Sequence, residues 1–457
     1  MKTELKKSQK TTEIFFDEAS RWITVSTYNT DLKNRLTAYA TDKIQLVLDG
    51  VKISNSKSAA IYVKQADKVF ITTSSESENS LANTGEYEAI DDNNIDAVIF
   101  SKSDLTLNGA GTLEINADAG HGIVSKDDLV ITSGSYNINS ASQGLSGKDS
   151  IRIANGTYTI TSGKDGIHSE NTDDTSLGFV YIAGGKFTLK SDGDGISASG
   201  YLLIDDGTFN IYTGEGSESV TMETDSASFG RWSDFSQQNT ETTDDTASQK
   251  GIKSDGILTV NGGSFVTDTV DDSLHCGSDI IITDGTFELK SGDDAVHSDA
   301  DVTIKNGTFT IDYCYEGIEG LTVTIDDGTF DISSTDDGLN AAGGADSSGF
   351  GGGRPGEDRF SGTSDSFITI NGGSFVIVSN GDCIDSNGAL TINGGDLDLT
   401  CNGNGNTALD CDGEYTNNGG DVTTNDGSEN NPGQMGGAGG MGGAGGMGGM
   451  NPPGRMG

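Results

Sequence analysis

Proline is nearly absent from this chain, at 4 of 457 residues, and tryptophan appears only twice. Without proline, and with no three-residue period in its 67 glycines, the sequence cannot be collagen-like. Five cysteines (Cys276, Cys314, Cys383, Cys401 and Cys411) are too few and too odd for a disulfide framework, and none share the CxxC spacing of a zinc site. Basic residues are scarce: 27 Lys and Arg against 70 Asp and Glu leave a net charge of -43. That field repels nucleic acid and anionic membranes, so neither is expected as a partner, whereas cations are. No apolar run reaches the roughly 18 residues of a membrane span, so no membrane insertion is expected. The N-terminal MKTELKKSQKTTEIFF has basic residues but no apolar core segment, so no signal peptide is visible.

What the chain has in their place is a repeat. Hydrophobic content is only 33%, which beside such a charge would suggest disorder, yet the apolar residues fall in short, evenly spaced clusters. SIRIANGTYTITSGKDGIHS, DIIITDGTFELKSGDDAVHS and FITINGGSFVIVSNGDCIDS are copies of one pattern. Its Ile/Val anchors step by 22 residues from Ile131 to Ile153, Ile182 to Ile204, and Val260 to Ile282 to Ile304. Longer steps carry polar, Gly/Ser/Thr/Asp-rich insertions near 171–177, 215–249 and 341–366. Within Asp279–Asp301, Ile280 and Ile282 mark a first strand, Asp284-Gly285 a tight turn, Phe287 and Leu289 a second strand, and Ala295–Ser298 a third. One copy cannot bury its own apolar face, so copies must stack. The fold expected is all-β: a right-handed parallel β-helix of about 13 rungs, with a period of about 22 residues, on the order of 60 Å long.

Stacking turns equivalent positions into columns. Tyr136, Tyr158, Phe187, Phe209, Phe265, Phe287, Phe309, Phe330 and Phe375 share parity with the core Ile and Leu beside them, which predicts an interior aromatic stack. The third strand carries an acid-x-aliphatic pattern at Asp165, Asp194, Asp272, Asp294, Glu316, Asp337 and Asp382, with second acids at Asp192, Asp271, Asp293 and Asp336. Like charges one rung apart would cost about 3–4 kcal/mol each at an effective dielectric of 20. Such a column calls for raised pKa values, divergent orientations or a bound cation, and oxygen clusters of this kind suit Ca²⁺. These eleven acids are therefore candidate Ca²⁺ ligands; the competing reading is that Asp fills turns and caps its own backbone. Two residues beyond the Gly position of that pattern, His168, Lys253, His275, His297, Glu319 and Asn340 should face outward, a varied polar stripe suited either to carbohydrate or simply to solvent.

Catalysis has little to stand on. Carboxylate pairs are too abundant to single out a glycoside-hydrolase pair, and only Arg152 lies within a regular rung as a lyase base would. Gly120-His121-Gly122 resembles a motif of polygalacturonase-type hydrolases, but the carboxylate pairs and Arg-x-Lys element that accompany it there are missing.

AVIFSKSDLTLNGAGTLEI, HGIVSKDDLVITSG, DGIHSENTDDTSLGFVYIAGGKF, KGIK, YEGIEG and DDGLNAAGGADSSGFGGG together resemble the bacterial carbohydrate-binding domain-containing family, over roughly residues 40–415. The resemblance implies a Ca²⁺-binding parallel β-helix, similar in shape to pectate lyases, at the cell surface or outside the cell. It implies non-catalytic binding of plant or microbial cell-wall polysaccharide, such as cellulose or polygalacturonic acid. A surface adhesin or stalk, contacting its target through Phe229, Trp232 and Phe235 of the second insertion, and a pectate-lyase-like enzyme are the alternatives. Residues 1–38, with Trp22, are expected to form an N-terminal cap, residues 39–425 the carbohydrate-binding β-helix, and residues 426–457 a Gly/Met-rich disordered tail. A monomer is expected.

Overall fold

Each repeat folds as three short strands separated by turns, and every strand pairs in parallel with its counterpart in the next repeat. The structure is a computed structural model describing residues 12–15, 23–26, 35–89, 91–222, 248–341 and 365–432. Trp22, Phe229, Trp232, Phe235, most of the third insertion and residues 433–457 lie outside the described residues.

The second strands form a 14-stranded sheet running from Lys52–Asn55 to Asp421–Thr424. The first and third strands make the other two faces. They join into a single 28-stranded ladder because Val296–Ile304 and Ile318–Ile325 run through the corner between them without a break. The result is the parallel β-helix that the 22-residue period predicts. Thr12–Phe15 and Ile23–Ser26 pair with Leu36–Tyr39 and Ile44–Asp49, so the N-terminal segment adds strands to the stack.

Alternation decides the core. Along Thr157–Ser162 the odd positions are exposed and Tyr158, Ile160 and Ser162 are buried, and the same pattern recurs from rung to rung. The aromatic column is the interior stack expected: Phe187, Phe209, Phe265, Phe287, Phe309, Phe330 and Phe375 lie 4.5–4.9 Å apart with rings within 7° of parallel. That spacing equals the inter-strand distance of any β-sheet, so stacking and backbone pairing reinforce each other. Its two tyrosines stay inside because their hydroxyls donate to the carbonyls of Ser133 and Asn155. The Asp-Gly turn before the ring is also forced. Gly285 has φ +147°, and a Cβ there would sit 2.8 Å from the Phe287 ring.

Candidate functional site

The third face is shaped by the turn that precedes it. A buried hydroxyl closing the second strand donates to the carbonyl two residues on: Ser162 to Lys164, Thr269 to Asp271, Ser291 to Asp293, Ser334 to Asp336 and Ser379 to Gly381, all at 2.7–3.0 Å. Each such turn delivers the next acid to the same place on its rung.

There the acid caps a neighbour. Asp165 Oδ1 accepts the Asp194 N–H at 2.9 Å, and Asp194 Oδ1 accepts the Lys250 N–H at 2.8 Å. Asp272 does the same for Asp294 at 3.0 Å, and Asp294 for Glu316 at 3.1 Å. Asp337 accepts the Asp382 N–H at 2.5 Å, and Asp382 in turn accepts that of Thr407. His121 belongs to the same ladder, its Nδ1 accepting the Gln143 N–H at 3.2 Å. The column therefore satisfies turn amides, as the capping reading held, but those amides are on the following rung and not its own.

The second carboxylate oxygen is used differently along the rod. At Asp272 the chain supplies its own cation: Lys250 Nζ lies 2.5 Å from Asp272 Oδ2 and 2.7 Å from Asp271 Oδ1, with all three side chains buried. Burial alone would raise the Asp272 carboxyl, but Lys250, His275 and His297 hold it well below the usual range. Burial likewise works against the Lys250 charge, and Asp272 and Asp271 outweigh it. Histidines take the same role elsewhere. His168 Nδ1 pairs with Asp165 at 2.6 Å and His275 with Asp272 at 2.8 Å. His297 Nδ1 lies 2.9 Å from Asp294 and 2.8 Å from Glu319, with Nε2 3.4 Å from Asp299. The His275 and His297 rings stack at 5.1 Å. Burial tends to neutralise His297, yet Glu319, Asp294 and Asp299 hold it protonated.

Three candidate positions differ from the exposed stripe expected of them. His297 and Asn340 are 1% exposed and Glu319 8%, so they are interior members of the acid cluster. Strand alternation says which side of the sheet a residue leaves from, not what packs over it. His168, Lys253 and His275 remain half-buried in that stripe. Among the acids, Asp192 is exposed, while Asp194, Asp271, Asp272, Asp294, Glu316, Asp336 and Asp337 are buried. Burial comes first in raising the Asp294, Glu316 and Asp337 carboxyls, followed by Asp293 at Asp294, Glu319 at Glu316 and Asp385 at Asp337.

Three groups bring potential ligand atoms within 4.8 Å of one another: Asp271, Asp272 and Asp293; Asp294, His297 and Glu319; and Asp382, Asp385 and Asp410. The first holds an ammonium and the second an imidazole. The third is all oxygen and half-buried, with Asp385 and Asp410 adjacent in register. One rung before Asp385 stands Asn340. Its Nδ2 donates to both Glu316 oxygens, and its Oδ1 is buried with no hydrogen-bond partner among the described residues.

Sequence reasoning missed Lys250, and it missed Asp385 and Asp410 as candidate cation ligands. The signal for Lys250 was there, since KGIK writes Lys where sibling rungs write Asp before Gly-Ile. Arg152 ion-pairs with Asp128 and lies 6.0 Å from the centre of the Phe179 ring.

The sequence pattern of the family described as "carbohydrate-binding domain-containing protein" matches residues 25–295 and 293–433. A protein of that description from Acetivibrio thermocellus is 43% identical over 97 residues, covering 21% of this chain and 34% of its own length. The match thus spans about a third of that relative. A solved structure described as the polysaccharide lyase-like protein from C. thermocellum, a gadolinium derivative, is 26% identical, with a TM-score of 0.41, over 61% of this chain and 90% of that one. With its family pattern matched over most of its length, the chain belongs to the carbohydrate-binding domain-containing family.

Proposed function

We propose that this chain is a non-catalytic, calcium-binding rod of the bacterial cell surface or secretome that holds cell-wall polysaccharide, acidic polymers among them through bridging Ca²⁺. Family membership supports the polymer, and the Asp382–Asp385–Asp410 cluster is the observation that carries the cation. Its donors are hard carboxylate oxygens from adjoining rungs, with the buried Oδ1 of Asn340 one rung away, a set that suits Ca²⁺ better than a softer transition metal. Bound there, the ion would offset the clustered negative charge and offer open coordination positions to a sugar carboxylate. Asp382 would still cap Thr407 through one oxygen, so the turn is built whether or not a cation is present. A protein of net charge -43 could hold a polyanion only through such a bridge.

The test is retention on polygalacturonate in the presence of Ca²⁺, comparing the native chain with the double variant Asp385→Asn, Asp410→Asn. Retention should fall at least tenfold in the variant, with no unsaturated product absorbing in the near ultraviolet from either protein. Equal retention would sink the cation assignment, and product formation would sink the non-catalytic reading.

A further inference from the structure

The first face carries an outward strip of three apolar residues on successive rungs. Phe179 and Tyr201 occupy successive rungs of one outward column, and Ile257 follows them immediately before Leu258, the register partner of Leu202. Arg152, Tyr181, Leu203 and Thr259 form the column beside it. Phe179 and Tyr201 stack at 4.7 Å with rings 8° from parallel, and Tyr201 and Ile257 are each 43% exposed. Before Phe179 the same column holds Asp128 and Ser150, and beyond Ile257 it holds Asp279 and Asp301. An apolar strip bounded by polar rungs on a protein this acidic marks an interaction surface.

Its chemistry selects the occupant. Two of the carboxylates at its margin are engaged, Asp128 by Arg152 and Ser150, and Asp205 by the Tyr181 hydroxyl at 2.6 Å. The strip's own side chains carry no negative charge, on a rod of net charge -43. A second copy of the chain, or a polyanion, would be repelled by everything around it. A neutral sugar chain would not. It presents C–H faces to bury against ring edges and aliphatic side chains, and hydroxyls for the phenol and guanidinium at the margin. Rungs recur at roughly 4.8 Å, close to the advance of one sugar in an extended β-linked chain, so successive sugars meet successive members of this short column.

We propose that Phe179, Tyr201 and Ile257, with Tyr181, Leu203 and Arg152 beside them, form a binding platform for an uncharged β-linked polysaccharide, separate from the calcium cluster. This rests on the polysaccharide-binding reading above and gives the uncharged polymers a face of their own. The probes are cellohexaose by titration calorimetry and polygalacturonate by retention, each with Ca²⁺ and with EDTA, on the native chain, Tyr201→Ala, Tyr201→Phe, and Val376→Ser as an exposed control on the second face. Cellohexaose affinity should fall at least tenfold in Tyr201→Ala, recover most of the way in Tyr201→Phe, and stay unchanged in Val376→Ser and with EDTA. Polygalacturonate retention should be the same in all four proteins. Native-like cellohexaose affinity in Tyr201→Ala, with its melting temperature unchanged, overturns the platform. So does a native chain that retains polygalacturonate but not cellohexaose, an outcome that leaves the calcium-bridged reading standing. A native chain that binds neither overturns both.

Discussion

Lys250 sets the charge balance of the acid column at Asp271 and Asp272. Its side chain is 5% exposed and lies against two buried carboxylates, so removing it takes the ammonium from Asp271 and leaves Asp272 to His275. Lys250→Met should cost about 3–5 kcal/mol in urea unfolding, the usual penalty for breaking a buried ion pair from one side. A variant within about 1 kcal/mol of the native chain would show that the pair is dispensable. His121 makes a second residue-scale prediction. Burial comes first in holding its imidazole below the ordinary value of about 6.5, with Lys126, His168 and Lys164 in the same sense and Asp96 opposing. The folded chain therefore prefers neutral His121, the form whose Nδ1 can accept the Gln143 N–H. Its contribution is complete above the unfolded pKa and is lost as pH falls below about 6.5 toward the depressed folded value. His121→Asn keeps an acceptor but cannot titrate, so its stability should decline less than the native chain's between pH 7 and 5. Parallel declines would refute this.

At the scale of the strand and turn, the aromatic stack ties the second face together. Phe287 is fully buried between Phe265 at 4.9 Å and Phe309 at 4.5 Å. Phe287→Ala should cost about 3–5 kcal/mol, because the flanking rings are held at strand spacing and cannot close the cavity. Chemical denaturation measures it, and a loss under about 1 kcal/mol would mean that the stack collapses freely. This element was legible in the sequence because parity and period both constrain it: a ring that alternates with core Ile every 22 residues has one place to go. The acid column was legible only as a column. That Asp294 caps Glu316 depends on a hydrogen bond between rungs, which no single copy contains. The burial of His297, Glu319 and Asn340 was not legible, since alternation carries no information about what lies over a strand. Local exceptions do show in hindsight. Ser273 stands where siblings have Gly, and Thr267 stands in the column of Ile211; the two hydroxyls bond to each other at 2.8 Å.

Over the whole molecule, a net charge of -43 divides the two proposed sites by salt response. Binding through a bridging cation at Asp382, Asp385 and Asp410 should weaken as ionic strength rises, whereas burial of sugar C–H faces on the Tyr201 strip should not. The account stands most directly on the cation. The measurement is co-sedimentation with polygalacturonate after exhaustive EDTA treatment and again after Ca²⁺ is restored, with circular dichroism confirming that the β-helix stays folded throughout. Retention should be lost with the chelator and return with Ca²⁺. Undiminished retention by the folded, metal-free chain would contradict this.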